Sequence, residues 1–290
     1  MIRYFKYTVL ALAAAAAVAC SEEPLDPQSQ VIDSVTQETE FDKWLQANYI
    51  DTYNIELKWR METNESDMNY WLVPARVDKS IQMAKLMKFL CFEAYDEITG
   101  SMEFIRSYYP KMIHLIGSAA YNNNNTFVLG TAEGGLKITM YMINELELDP
   151  EYLNEYYFKT MHHEFAHILN QTKPYSTDFD MISGSEYVSD AWSSSWNGDS
   201  DAQQHGFISE YASKESGEDF VELLSIYVTS TEQDWNNIIS RAGSGASILT
   251  AKFDIVYNYM LNSWNIDLDE LREVIQRRQG EIDTLDLDNL

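Results

Sequence analysis

The spacing of apolar residues divides the first half of the chain into segments of different period. Apolar side chains recur every three or four residues over 39–49 and over 78–97, which predicts two helices. Residues 55–61 alternate between apolar and polar, which favours a strand. Two short apolar runs, 111–118 and 136–143, are typical of further strands. We expect the residues between these runs, 121–135, to form a loop.

The second half of the chain has a helical period almost throughout. Asp149 followed by Pro150 is typical of a helix start, and this helix is predicted to run to about residue 171. Residues 172–216 are rich in Ser, Asn, Asp and Gly and predict a loop. The remaining predicted helices cover 218–230, 232–241, 246–263 and 268–279. Strands followed mainly by helices predict the α+β class, in one domain over 38–290 whose two parts divide near residue 171.

Residues 1–19 have the features of a secretory signal peptide. Arg3 and Lys6 precede an apolar stretch of about a dozen residues, which is too short to span a bilayer. Ordinary cleavage after Ala19 is one interpretation of its end. The other is a bacterial lipobox, Ala-Val-Ala-Cys, which would make Cys20 the lipidation site.

The residues after Cys20 support the lipobox interpretation. Ser-Glu-Glu at 21–23 resembles the acidic signal that sends some lipoproteins to the cell surface, and 20–37 has the polar composition of a flexible tether. An acyl chain attaches a protein to a membrane without inserting it. We therefore expect a cell-envelope protein, an outer-membrane lipoprotein exposed at the cell surface, whose lipid anchor is its sole membrane contact.

The charge of the chain excludes one class of partner. The sequence has 46 acidic residues against 20 basic ones, a formal net charge of −26. Nucleic acids require a basic surface, so we expect no nucleic-acid partner. The 2 cysteines are too few for a disulfide framework.

The helix predicted over 150–171 carries an H-E-x-x-H motif. His163 and His167 are four residues apart and therefore lie one turn apart on the same helix face. Two imidazoles in that arrangement can bind one Zn²⁺ ion, and Glu164 can act as general base on a water molecule. A zinc site that was only structural would not need Glu164, so the motif favours catalysis.

The third zinc ligand is not part of the same motif. Lys173 stands where the longer H-E-x-x-H-x-x-G-x-x-H pattern requires histidine. Glu218 and Glu222 share one face of the next long helix, so one can bind the metal while the other orients a ligand histidine. We favour Glu218 as ligand, with the reverse assignment open. His205 and Asp190 are weaker candidates.

The segment around the motif resembles a known family of metallopeptidases. His163 to His167, Tyr211 and Glu-Asp-Phe-Val-Glu at 218–222 are similar to the catalytic segment of gluzincins of the anthrax lethal factor type. This resemblance implies that Glu218 is the third zinc ligand. It also implies that Tyr211, seven residues earlier, stabilises the oxyanion or acts as general acid.

Almost the whole chain after residue 38 resembles a second family. The matching stretches are Phe-Asp-Lys-Trp-Leu at 41–45, Tyr-Asn-Ile-Glu-Leu-Lys-Trp-Arg at 53–60, the H-E-x-x-H helix and Tyr-Ala-Ser at 211–213. They are similar to zinc metallohydrolase lipoproteins that occur beside starch-utilisation-type outer-membrane import systems. The resemblance implies a zincin-like fold, a small mixed sheet with a mostly helical C-terminal half, and an outer-membrane nutrient-import complex as partner.

Together these features predict a zinc-dependent metallopeptidase that hydrolyses amide bonds of a peptide or protein substrate. An extended substrate commonly pairs with a sheet edge beside such a helix, and we expect the strand over 136–143 to provide that edge. The alternative is a non-catalytic accessory lipoprotein with a degenerate zinc site, which binds glycan or peptide for uptake.

Overall fold

The fold is known from a computed structural model that describes residues 37–62, 64–67, 69–121, 127–128, 130–133 and 136–290. All the elements below lie in one compact unit, Thr39–Leu290. The predicted signal peptide over 1–19, Cys20 and the tether up to residue 36 lie outside the described residues and stay predictions. Among the described helices, none is both long and apolar enough to cross a bilayer.

Helices and one strand form the first part of the unit, as the apolar periods predict. Helices α1 and α2 each contain a π-helical turn, and the short helix α3 was not predicted. The elements are α1 (Glu40–Leu45, π-helical Gln46–Ile50, Asp51–Tyr53), β1 (Glu56–Lys58), α2 (Val77–Met87, π-helical Lys88–Phe92, Glu93–Thr99) and α3 (Glu103–Tyr108).

The strands that follow complete a small mixed sheet. They are β2 (Met112–Leu115), β3 (Ala120–Tyr121), β4 (Phe127–Val128), β5 (Gly130–Glu133) and β6 (Lys137–Met140). The main sheet has the order β1-β2-β6-β5, in which β1, β2 and β6 are parallel and β5 is antiparallel to β6. Strands β3 and β4 form a separate antiparallel pair.

The position of β6 corrects one expectation. The strand predicted over 136–143 was expected at the sheet edge, but β6 lies between β2 and β5 and uses both of its sides for pairing. The two edge strands are β1 and β5, and β5 lies within the stretch predicted as loop. Four residues that begin with glycine are too few to show a clear alternating period, which is why the pattern missed this strand.

The second half is helical, as predicted. Its elements are α4 (Pro150–Leu153, π-helical Asn154–Phe158, Lys159–Thr172), α5 (Asp178–Ile182), α6 (Trp192–Ser195), α7 (Asp199–Gln204), α8 (Ser216–Thr229), α9 (Glu232–Ala242), α10 (Ala246–Trp264) and α11 (Leu268–Gln279). The stretch over 172–216 therefore contains three short helices where loop was expected.

One hydrophobic core joins the sheet to these helices. Ile113 of β2 and Ile138 of β6 are fully buried in the same cluster as Phe165 of α4 and Leu223 of α8. Helix α4 thus packs between the sheet and the C-terminal helices. The H-E-x-x-H motif is fixed on both sides by buried apolar contacts, which gives its polar face a defined orientation.

The start of α4 and its contact with β5 determine the position of the polar helix face that carries the H-E-x-x-H motif. The Asp149 side chain accepts a hydrogen bond from the Tyr152 N–H and caps the helix, as the sequence predicts. Gly130 of β5 lies against Thr160, where an added Cβ would come within 2.6 Å of the Thr160 Cγ2 methyl group. A glycine at this position allows the edge strand to approach the helix three residues before His163.

Candidate metal centre

Helices α4 and α8 bring two histidines and a glutamate to one point. The Nε2 atoms of His163 and His167 lie 3.1 and 3.2 Å from the same carboxylate oxygen, Oε2 of Glu218. His163 and Glu218 are buried, whereas His167 is partly exposed. The three side chains come from two helices fixed in the core, so their geometry does not depend on a loop.

These three donors fit a zinc ion. Ligand atoms at zinc-bond lengths in a tetrahedral site are separated by about 3.3 Å, which is close to the spacing seen here. Within the described residues, His163, His167 and Glu218 form a group whose ligand atoms all lie within 4.8 Å of one another. Two imidazole nitrogens and one carboxylate oxygen are also the donor set of catalytic zinc sites.

Glu222 contacts His163 on the Nδ1 side of the imidazole ring. Its Oε1 atom lies 2.9 Å from His163 Nδ1, and its Oε2 atom accepts hydrogen bonds from Ser209 at 2.6 Å and Lys159 at 2.9 Å. Burial disfavours its charge, but Lys159 and then His163 and Ser209 lower the pKa of Glu222 to about 2. Of the two arrangements left open by the sequence, the structure has Glu218 at both Nε2 atoms and Glu222 at Nδ1.

The electrostatics of two of these donors, His163 and Glu218, match a site for a cation. Burial opposes charge on His163, yet hydrogen bonds to Glu218 and Glu222 raise its pKa to about 9. Burial also opposes charge on Glu218, but the two histidines and Lys214 hold its pKa well below the usual range. The two carboxylates therefore favour a positive charge beside His163.

Glu164 adjoins this centre on α4. Burial raises the pKa of its carboxyl group, while the nearby His163 and His167 oppose the rise. A carboxylate whose pKa is raised accepts a proton more readily than an exposed one. Its environment therefore suits a general base.

Tyr211 reaches the centre from a short 3₁₀ turn, Tyr211–Ser213. Its hydroxyl group donates a hydrogen bond to Oε1 of Glu218 at 3.0 Å, and its ring centroid lies 6.0 Å from that of His163. Burial first, and then the charge of Glu218, raise the pKa of Tyr211 well above its usual range. The hydroxyl group therefore stays protonated and available as a donor.

Three polar residues of the site were missed in the sequence: Lys159, Ser209 and Lys214. Lys214 Nζ lies 3.0 Å from Oε1 of Glu218, on the same oxygen as Tyr211. Both lysines stand four residues before a site residue, Lys159 before His163 and Lys214 before Glu218, and this spacing was the available signal. Ser209 carries no comparable signal, because a loop positions it.

The weaker ligand candidates lie outside the centre. Asp190 and His205 are exposed, and neither joins the metal-binding group found among the described residues. The His205 ring instead packs on Trp196, with centroids 5.0 Å apart. His162 is buried on another face of α4, where its Nδ1 atom lies 3.0 Å from the Tyr95 hydroxyl.

Comparison with known proteins identifies the family. A family model described as "Putative zinc-binding metallo-peptidase" matches residues 34–269. A crystal structure of a "putative zinc-binding metallo-peptidase" from Bacteroides caccae ATCC 43185 is 46% identical to the chain. That match covers 86% of this chain and 95% of the other, with a TM-score of 0.76. No curated protein matches the chain.

The chain therefore belongs to this family of zinc-binding metallopeptidases. The prediction of a zinc-binding metallopeptidase is confirmed at the level of the family, as is the mixed, helix-rich fold with a small sheet.

Proposed function

We propose that the protein is a zinc-dependent metallopeptidase of the H-E-x-x-H gluzincin type, with a zincin-like fold. The observation that carries the proposal is the convergence of His163 Nε2 and His167 Nε2 on one oxygen of Glu218. When bound, zinc would polarise the substrate carbonyl and lower the pKa of a water molecule. The three side chains would hold it, with Glu222 orienting His163.

Glu164 supplies the base for amide hydrolysis. Its half-buried carboxylate takes the proton from the attacking water and can return it to the departing amine. Burial raises the pKa of Glu164, which makes its carboxylate a better proton acceptor than an exposed one. This role requires Glu164 between the two histidines, which supports the enzyme over a non-catalytic accessory protein.

Tyr211 supplies a hydrogen bond to the oxyanion. Its protonated hydroxyl group lies at the edge of the centre, where it now donates to Glu218. A donor aimed at the developing negative charge stabilises the transition state more than the ground state. Rotation of the hydroxyl group from Glu218 to the oxyanion would provide this stabilisation.

The substrate would be an extended peptide or protein segment. Strand β5 is the antiparallel edge of the sheet in the described part of the chain and contacts α4 beside the motif. The outer side of an edge strand can form a ladder with a peptide, which would align an amide bond along the helix.

The decisive experiment compares Glu164→Gln with the unchanged protein on a mixed peptide library read by mass spectrometry. We expect Glu164→Gln to keep stoichiometric zinc but to lose about 10²- to 10⁴-fold in cleavage rate, because it lacks the base. Glu155→Gln is the matched control, since Glu155 is an exposed residue of the same helix. His163→Ala is expected to lose the metal.

Three results would contradict the proposal. Stoichiometric zinc in His163→Ala would remove His163 from the ligand set. Cleavage by Glu164→Gln at the unchanged rate would remove the base, and glycan binding without any turnover would favour the accessory role.

The cellular setting is proposed from the sequence alone. The signal peptide, Cys20 and the acidic residues after it support an outer-membrane lipoprotein at the cell surface. A nutrient-import complex at that membrane is the partner that we propose.

A further inference from the structure

We propose that Lys214 is a positioning residue that holds the outer oxygen of Glu218, so that this carboxylate binds the metal through one oxygen only. The inference rests on the proposed function, because it assumes Glu218 as the zinc ligand. Its basis is that Lys214 Nζ lies 3.0 Å from Oε1 of Glu218, whereas both histidines face Oε2.

The two oxygens of Glu218 have separate sets of partners. Oε2 faces His163 and His167, and Oε1 accepts hydrogen bonds from Tyr211 and Lys214, each at 3.0 Å. A carboxylate whose second oxygen pairs with a cation gains little by turning that oxygen toward a metal. Lys214 therefore favours one-oxygen binding and leaves a coordination position for water or substrate.

Lys214 becomes more important when Tyr211 moves. Its Nζ atom also lies 3.4 Å from the Tyr211 hydroxyl oxygen, so the three groups form one cluster. When the hydroxyl group turns to the oxyanion, Oε1 keeps Lys214 as its remaining donor. Without Lys214 that oxygen would have no hydrogen-bond donor from the described part of the chain, and the nearest cation would be the metal itself.

The backbone fixes Lys214 in this position. Its N–H donates to the Tyr211 carbonyl group at 3.0 Å, and its own carbonyl group accepts from the Ser189 N–H at 3.1 Å. The side chain is only 28% exposed and its ammonium group lies 5.3 Å from the centroid of the Tyr211 ring. These contacts restrain the lysine more than an ordinary surface ion pair.

Substitution of cobalt(II) for zinc tests the role, because tetrahedral cobalt absorbs visible light more strongly than cobalt with additional ligands. We expect cobalt-loaded Lys214→Leu to lose visible absorption, as both oxygens of Glu218 bind. Cobalt-loaded Lys214→Arg should keep the visible absorption of the unchanged protein, since the guanidinium group of arginine can still donate to Oε1 of Glu218. Lys79→Leu is the control, because Lys79 instead donates to the Leu146 carbonyl group.

A lysine that only stabilised the start of α8 would leave the metal spectrum unchanged. An unaltered cobalt spectrum in Lys214→Leu therefore overturns the inference. Failure of the proposed function has a different result: either the unchanged protein takes up no zinc or cobalt, or Glu218→Gln binds both as tightly as the unchanged protein does.

Discussion

Two neighbouring residues of α8, Glu218 and Asp219, show two ways to bury a carboxylate. Glu218 faces two histidines and is arranged for an added cation. Asp219 is fully buried against Lys252, at 2.6 Å, and accepts a further hydrogen bond from Tyr187. The metal-site face therefore combines two lysines of the chain with donors for an added cation, whereas Asp219 depends on a lysine of the chain alone.

The number of donors separates the two faces further. Glu222, which lies on the metal-site face, has donors on both oxygens, and its pKa is lowered to about 2. Both donors to Asp219 bind Oδ2, and Oδ1 has no partner among the described residues. Burial raises the pKa of Asp219 to about 6 and lowers that of Lys252. A single cation is therefore not enough to offset burial.

The largest effect on stability is expected at the buried pair of Asp219 and Lys252. Lys252→Met leaves Asp219 buried without a cation, and we expect the free energy of unfolding to fall by about 3–5 kcal/mol in denaturant titrations at neutral pH. The double variant Asp219→Asn/Lys252→Met should recover most of this loss, because no charge remains. Equal instability of the single and double variants would show that charge is not the cause. Zinc affinity should be unchanged in Lys252→Met if it folds.

A smaller effect, on zinc affinity, is expected from a change at Glu222. Glu222→Gln removes the charge that orients this imidazole, and we expect zinc affinity to fall about 10- to 100-fold in competition with a chelator. Glu215→Gln is the matched control, since this exposed glutamate stands just before α8. Equal affinity in the two variants would mean that the charge of Glu222 does not contribute to zinc binding.

The smallest effect is the change in zinc affinity that each pH unit produces. The raised pKa of His163, about 9, means that zinc must displace a proton from the site at neutral pH. We expect zinc affinity to fall up to about tenfold for each pH unit below 9. Calorimetry in buffers of different ionisation enthalpy should detect about one proton released at pH 7.5. Release of none would mean that His163 is already neutral.

The stability of the metal-free protein should change with pH in the opposite direction to zinc affinity. Because folding raises the pKa of His163 above its usual value of 6.5, its contribution to stability is complete below pH 6.5. This contribution is lost as the pH rises through about 9. Zinc-loaded protein should not show this loss, because the bound imidazole is neutral at every pH in that range.

Sequence reasoning succeeded where the chemistry is local. The cap at Asp149, the spacing of His163 and His167 and the four-residue spacing of Glu218 and Glu222 are each contained in one helix. Helix periodicity therefore places each of these groups on a common face. The long helices of the second half begin and end within two residues of their predicted bounds.

Prediction from the sequence failed where contacts between distant parts of the chain determine the structure. The groups that complete the site, Ser209 and Lys214, lie in a stretch predicted as loop. Their positions depend on pairing with distant backbone, such as the hydrogen bond between the Val188 N–H and the Ser213 carbonyl group. Strand β5 was missed for the same reason, since its pairing with β6 determines its conformation more than its own sequence does.

The contact between Gly130 and Thr160 couples two positions that are thirty residues apart. The threonine methyl group cannot turn aside easily, because a β-branched side chain in a helix has few allowed rotamers. An alanine at 130 would therefore separate the sheet edge from the helix that carries the histidines. Serine at 160, which lacks that methyl group, would remove the clash. Sequence variation at this contact between β5 and α4 is thus restricted to pairs of changes, even though an edge strand ordinarily tolerates single ones.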